Sequence, residues 1–171
     1  MSNPEKKLNK NLKTILLAAL FAALEFVVTY LISFPIPIIQ GAYVNAGDTV
    51  LYLGACYIGG IWSALSAGIG SMLADIMLGS AIYAIPTLII KGTMALVCSW
   101  IYRKKSDLLG FFLGSLAGGC IMVAGYFIYE CFLVGVATAA LSVPLNLLQL
   151  ACSVVLAVVL YLPIKKIRAA V

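Results

Sequence analysis

Long apolar runs alternate with short polar ones along this chain, and the runs set its architecture. Residues 1–13 (MSNPEKKLNKNLK) are polar and basic. Apolar runs follow at 14–34, 44–59, 61–79, 82–102, 109–134 and 141–163, and KKIRAAV closes the chain. A helix needs ~20 apolar residues to cross the hydrocarbon of a bilayer. The pattern therefore predicts an all-α integral membrane protein with six transmembrane helices. It divides into a basic segment over 1–13, a six-helix membrane domain over 14–163 and a basic tail over 164–171. The first run is too long for a signal peptide and has no A-x-A cleavage site before polar sequence, so it reads as a span. The second and third runs meet at Ile58-Gly59-Gly60. One kinked helix is an alternative there, but the paired glycines and the combined length favour a tight helical hairpin.

Charge orients the bundle. Lys6, Lys7, Lys10 and Lys13 precede the first span, Arg103, Lys104 and Lys105 separate the fourth from the fifth, and Lys165, Lys166 and Arg168 follow the sixth. With both termini cytoplasmic, all ten fall on the inner side, and the outer connections (35–43, 80–81, 135–140) hold none. This matches the positive-inside rule. The net charge of +5 thus reads as membrane anchoring, and nucleic acid is not an expected partner.

Composition excludes other classes. Apolar residues make up 64% of the 171 and charged residues 10%, against ~45–50% and ~25% in soluble domains. A soluble enzyme of this size cannot cover so much apolar surface, and a disordered chain would be more polar. Histidine is absent, which removes the usual general base and metal ligand. Cys56, Cys98, Cys120, Cys131 and Cys152 stand singly in apolar runs and read as buried apolar filler. No catalytic constellation and no metal site is expected.

Polar residues inside the spans each need a reason. A rise of ~1.5 Å per residue gives their depths. Asp75 lies about 6 Å below the outer end of its span, Lys91 about 13 Å, Glu130 about 7 Å, and Asn146 and Gln149 about 7 and 12 Å. Asn45 and Asp48 open the second span. Glu25 stands apart, near the middle of the first. Tyr43, Tyr83, Tyr126 and Tyr129 lie close to these groups. Individually, they have structural readings: an Asp75–Lys91 ion pair, Asp48 as a helix N-cap, Asn146 and Gln149 as interhelical glue, the tyrosines as an interfacial belt. Their shared depth on one side favours a water-accessible pocket opening outward. The segment from Ser33 to Gly41, stiffened by Pro35 and Pro37, is placed to act as its lid. Ala18/Ala22 and Ala19/Ala23 give the first helix a small-residue stripe, while spacings such as Ala64/Gly68 and Gly114/Gly118 fit packing inside the bundle.

The runs Asn45–Ala55 (NAGDTVLYLGA), Gly68–Gly79 (GIGSMLADIMLG) and Pro86–Gly92 (PTLIIKG) resemble the vitamin-binding S components of energy-coupling-factor (ECF) transporters. The resemblance covers nearly the whole chain. It implies capture of one vitamin in an outward-facing pocket and docking on a membrane T component that sits on two ATPase subunits. It also implies that Ala18/Ala22 or Ala19/Ala23 contact the T component. The chain has no G-x-x-x-x-G-K-[ST] loop, so ATP would be used by the partners. The expected ligand is a small hydroxylated heterocycle, hydroxymethylpyrimidine or pyridoxine, with riboflavin or another vitamin as the alternative. Candidate ligand contacts are Lys91, Glu130, Asn146, Gln149, Asp75, Asn45, Asp48, Tyr43, Tyr83 and Tyr126. The expected location is a bacterial plasma membrane. A membrane enzyme would need a metal-binding Asp pair or a Ser-His or Ser-Lys dyad. An autonomous transporter would need a polar path through the inner halves, where Glu25 is the nearest polar group.

Overall fold

The computed structural model describes residues 4–170, with side chains described over 11–165. The side chains of Lys6, Lys7, Lys10, Lys166 and Arg168, and residues 1–3 and 171, lie outside the described residues. The elements are α1 (Pro4–Leu31), β1 (Ser33–Pro35), β2 (Tyr43–Asn45), α2 (Gly47–Tyr57), α3 (Gly60–Met77), α4 (Ala84–Lys104), α5 (Leu108–Val134), α6 (Val136–Ala139) and α7 (Val143–Ala170). A 3-10 turn over Ala81–Tyr83 leads into α4. The chain is an all-α membrane protein carrying one small β-hairpin. Among the described residues, five stretches are long and apolar enough to cross a membrane: Asn11–Leu31, Gly60–Met77, Ala81–Lys104, Leu108–Val134 and Val136–Lys165.

The run at 44–59 departs from expectation. Its first residues pair as β2 with β1, matching Ser33 to Asn45 and Pro35 to Tyr43. Only 11 residues are left for α2, a rod of about 16 Å that is too short to span alone. The physical reason is that α2 lies in the centre of the bundle, touching α1, α3, α4 and α7, and the hairpin dips in above it. At its inner end Gly59 takes φ +69°, and the Arg103 guanidinium lies against the turn. The chain reverses there, and α3 begins at Gly60.

Small residues bring the long helices close. A Cβ on Gly68 would meet the Leu88 carbonyl at 2.8 Å, and one on Gly114 the Cys98 carbonyl at 2.9 Å. The outer surface is inverted: Leu16, Leu24, Ile85, Ile89, Phe132 and Val155 are exposed, as a bilayer requires. The cysteines do not all behave as core filler. All five are free; Cys98 is buried, but Cys120 and Cys152 are exposed on the apolar surface.

The centre of the bundle is polar. Lys91 Nζ on α4 donates to Asp48 Oδ1 on α2, and both residues are buried. This corrects the pairing of Lys91 with Asp75. It also corrects Asp48 as an N-cap, since α2 starts after Ala46 with no side-chain cap. Gln149 Nε2 on α7 donates to Asp48 Oδ2 at 2.6 Å, and its Oε1 accepts the Asn45 backbone N–H at 2.8 Å. One carboxylate thus ties three helices together, and the glutamine carries the tie into the hairpin. Lys91→Met leaves a buried unpaired carboxylate and should cost ~3–5 kcal/mol of stability. Adding Asp48→Asn should restore most of it, read as melting temperature in detergent. No recovery in the double variant would show that the pair does more than balance charge.

Candidate functional site

Above the ion pair, five elements meet around one cavity. The hairpin supplies Tyr43 and Asn45, and its turn supplies Ile36, Gly41 and Ala42. α3 supplies Asp75 near its end. Tyr83 comes from the 3-10 turn that leads into α4, Thr87 from the first turn of α4, Tyr126 and Glu130 from α5, and Asn146 from the first turn of α7. Seven residues singled out from the sequence therefore line one space: Tyr43, Asn45, Asp75, Tyr83, Tyr126, Glu130 and Asn146. Lys91, Asp48 and Gln149 do not reach its wall; they form the buried tie.

The wall carries three separate hydrogen-bonded groups. Tyr43 Oη donates to Asp75 Oδ1. Thr87 Oγ1 and Tyr126 Oη share a hydrogen bond of 3.0 Å. Ser142 Oγ donates to Glu130 Oε2, and Tyr83 Oη to Glu130 Oε1 at 3.4 Å. Two buried wall atoms have no protein partner: Asp75 Oδ2, an acceptor, and Asn146 Nδ2, a donor. Buried polar atoms are seldom left unpaired. These two are disposed to receive a ligand's own donor and acceptor.

The hairpin turn closes the cavity. Ile36, Ile39 and Ala42 are buried in one cluster with Tyr83, against Tyr126, Tyr129, Leu133 and Leu145. Tyr129 Oη also donates to the Ile82 carbonyl at 2.6 Å. The enclosed free volume is about 20 Å³, room for little more than one water. A heterocycle is larger than this space. An outer cleft of about 650 Å³ lies beyond it, between the turn and Leu78–Ser80.

Thr87 and Ser142 escaped the sequence reading, yet spacing carried both. Tyr83, Thr87 and Lys91 stand at i, i+4 and i+8, and Ser142, Asn146 and Gln149 at i, i+4 and i+7, each set on one helix face. Ile36, Gly41 and Ala42 gave no signal beyond their place in the proline-stiffened loop.

Apolar helices around a lidded, polar-walled cavity define a membrane-embedded binding protein for a small solute. Comparison with known proteins makes this particular. Residues 9–166 match the family model for the ECF-type riboflavin transporter, S component, and the chain belongs to that family, one of transporter subunits and not of enzymes. It is 32% identical over 152 residues to the thiamine precursor transporter HmpT of Lactococcus lactis subsp. cremoris, covering 89% of this chain and 87% of that one. It is 38% identical over 100 residues to an uncharacterised Pyrococcus woesei protein, covering 58% of this chain and 66% of that one. A solved structure of the S component of a bacterial ECF transporter superposes with a TM-score of 0.77 at 18% identity, covering 92% of this chain and 98% of that one. That likeness establishes the fold.

Tyr43→Phe should loosen the lid. A hydrogen bond to a charged group contributes ~1.5–3 kcal/mol, so amide exchange across 35–45 should rise roughly ten- to hundredfold. Unchanged exchange would mean that apolar packing alone holds the turn down.

Proposed function

We propose that this chain captures hydroxymethylpyrimidine, or a single-ring vitamin of similar polarity such as pyridoxine, on the outer side of a bacterial plasma membrane. Partner subunits, a T component and two ATPases, would then drive its uptake with ATP. Both termini are cytoplasmic in this reading. The hairpin and α2 together make the second of six crossings.

One observation carries the ligand class. The cavity offers an unpaired acceptor, Asp75 Oδ2, and an unpaired donor, Asn146 Nδ2, between tyrosine rings. An aminopyrimidine presents the complement, an exocyclic amine to donate and a ring nitrogen to accept. Glu130 and Asn45 remain for a hydroxymethyl group. The thiamine-precursor relative supports the same class. Riboflavin is the second reading, because the matching family model is named for riboflavin. Its tricycle and ribityl chain ask far more of the small cavity.

Titration of the purified protein with 4-amino-5-hydroxymethyl-2-methylpyrimidine, pyridoxine and riboflavin decides the matter. The pyrimidine should bind most tightly, and Asp75→Asn or Asn146→Ala should each weaken it roughly ten- to hundredfold. Tightest binding of riboflavin would replace the proposal with the second reading.

The docking surface is proposed on α1. Ala18 is buried, Ala22 half-buried, and Ala19 and Ala23 exposed. All four line an apolar groove of about 550 Å³ beside Trp62, Leu65 and Ile69 of α3. In this reading Ala19 and Ala23 face the T component, while Ala18 and Ala22 seat α1 on α3. Ala19→Trp or Ala23→Trp should abolish co-purification with the T component and leave ligand affinity unchanged. Ala18→Trp should instead lower the melting temperature. Retained co-purification in both exposed variants would move the docking surface elsewhere.

A further inference from the structure

The wall of the ligand cavity is rich in acceptors and carries no cation. Asp75 and Glu130 bring two carboxyl groups to it, and both residues are buried. No lysine or arginine is among the residues that line it. Between Lys13 and Arg103 the sequence holds one basic residue, Lys91, and its ammonium is bound to Asp48 beneath the cavity. None stands between Lys105 and Lys165. The outer cleft repeats the pattern: the turn over 33–43 and the facing residues 78–80 carry no charged side chain. α4 and α7 begin at the cavity, and helix starts favour anions. Their first turns are short of donors, however. Pro86 and Pro144 have no N–H, and the Ser142 carbonyl takes the Asn146 N–H at 3.0 Å.

We propose that this cavity discriminates by charge: it takes the free alcohol of its vitamin and rejects the phosphate ester of the same compound. The inference rests on the cavity being the vitamin site, as proposed above, and not on which vitamin binds. A phosphomonoester carries a charge of about −1.5 to −2 at neutral pH, and its oxygens call for cations or N–H donors. If Asp75 and Glu130 are ionised, they repel it; if they are protonated, its charge still lacks a counter-ion at membrane depth. A free hydroxyl or amine, by contrast, donates to Asp75 Oδ2, the buried acceptor without a protein partner. A place in a reaction sequence follows. A phosphorylated source of the vitamin becomes a substrate only after hydrolysis outside, in which water attacks phosphorus, the ester P–O bond breaks and a proton passes to the alcohol oxygen.

The test titrates the full chain in detergent with 4-amino-5-hydroxymethyl-2-methylpyrimidine, pyridoxine and riboflavin. Each is offered as the free alcohol, as its phosphate monoester and as the uncharged acetate ester of the same hydroxyl. Discrimination is read within the set whose alcohol binds most tightly. The phosphate ester should bind roughly a hundredfold or more weakly than the alcohol, and the acetate ester roughly tenfold or more tightly than the phosphate. Tightest binding of riboflavin would displace the pyrimidine reading and leave this one to be decided by riboflavin and its own esters. A phosphate ester within about tenfold of its alcohol would overturn the proposal. Equal losses for the two esters would overturn it as well and assign the exclusion to bulk.

Discussion

A lysine ammonium and an aspartate carboxylate, each withdrawn from water into a bundle that lipid surrounds, set the constraint on which this fold depends. Either charge alone would be untenable at that depth. Together they hold α4 against α2, and the second carboxylate oxygen takes the Gln149 amide of α7. The Met122 sulfur of α5 also faces the Lys91 ammonium at 3.7 Å and the Gln149 amide at 3.2 Å, so the triad touches a fourth helix. The ligand cavity lies just above this knot. Two of its walls continue the same helices, α4 with Thr87 and α7 with Asn146, so the spacing of those two is inherited from the ion pair below, while α3 and α5 add Asp75 and Tyr126.

The same knot reaches the lid. Gln149 accepts from the Asn45 backbone, which holds the end of β2, while Tyr43 two residues earlier bonds Asp75 of α3. A hairpin of two three-residue strands has little stability of its own. Its closure rests on three buried aliphatic side chains and one phenol–carboxylate bond. That is an appropriate strength for a gate, since a cover held by a large core would keep the vitamin out as well as in. The hairpin is thus tied to α7 at Asn45 and to α3 at Tyr43.

Much of this was legible in the residue pattern. Five apolar runs became long helices because their length and composition leave few alternatives in lipid. Seven of the ten ligand contacts expected from the sequence line the cavity, since a charge or amide in a membrane helix must face other polar groups and its depth follows from counting. Partner choice was not legible. Lys91 had Asp75 and Glu130 as plausible acceptors at one depth, and only the central position of α2 brings Asp48 to it. The short α2 was hidden for a related reason. Val44 and its neighbours are as apolar as any span, and hydropathy does not distinguish a strand lying inside a protein from a helix lying in lipid. Thr87 and Ser142 were missed because a hydroxyl in a membrane helix so often bonds its own backbone.

α1 shows how one helix serves two tasks. Its inward face runs Ala18, Ala22, Glu25, Thr29, and its outward face carries Ala19 and Ala23. Packing is chiefly against α3 and α2. Around Ala18 and Ala22 the contact is small-residue and apolar, which lets α1 approach α3 closely but adds little directional grip. Further out it is polar, through Glu25 to Ser71 and toward the first turn of α2. Apolar contact between small residues tolerates sliding and tilting; hydrogen bonds to a buried carboxylate do not. The position of α1 against the ligand-binding elements is therefore set at Glu25, within about 9 Å along the helix of both alanines of the surface proposed for docking. A partner pressing on Ala19 and Ala23 would load a lever whose fulcrum is that carboxylate, next to the Asp48 that anchors the cavity floor.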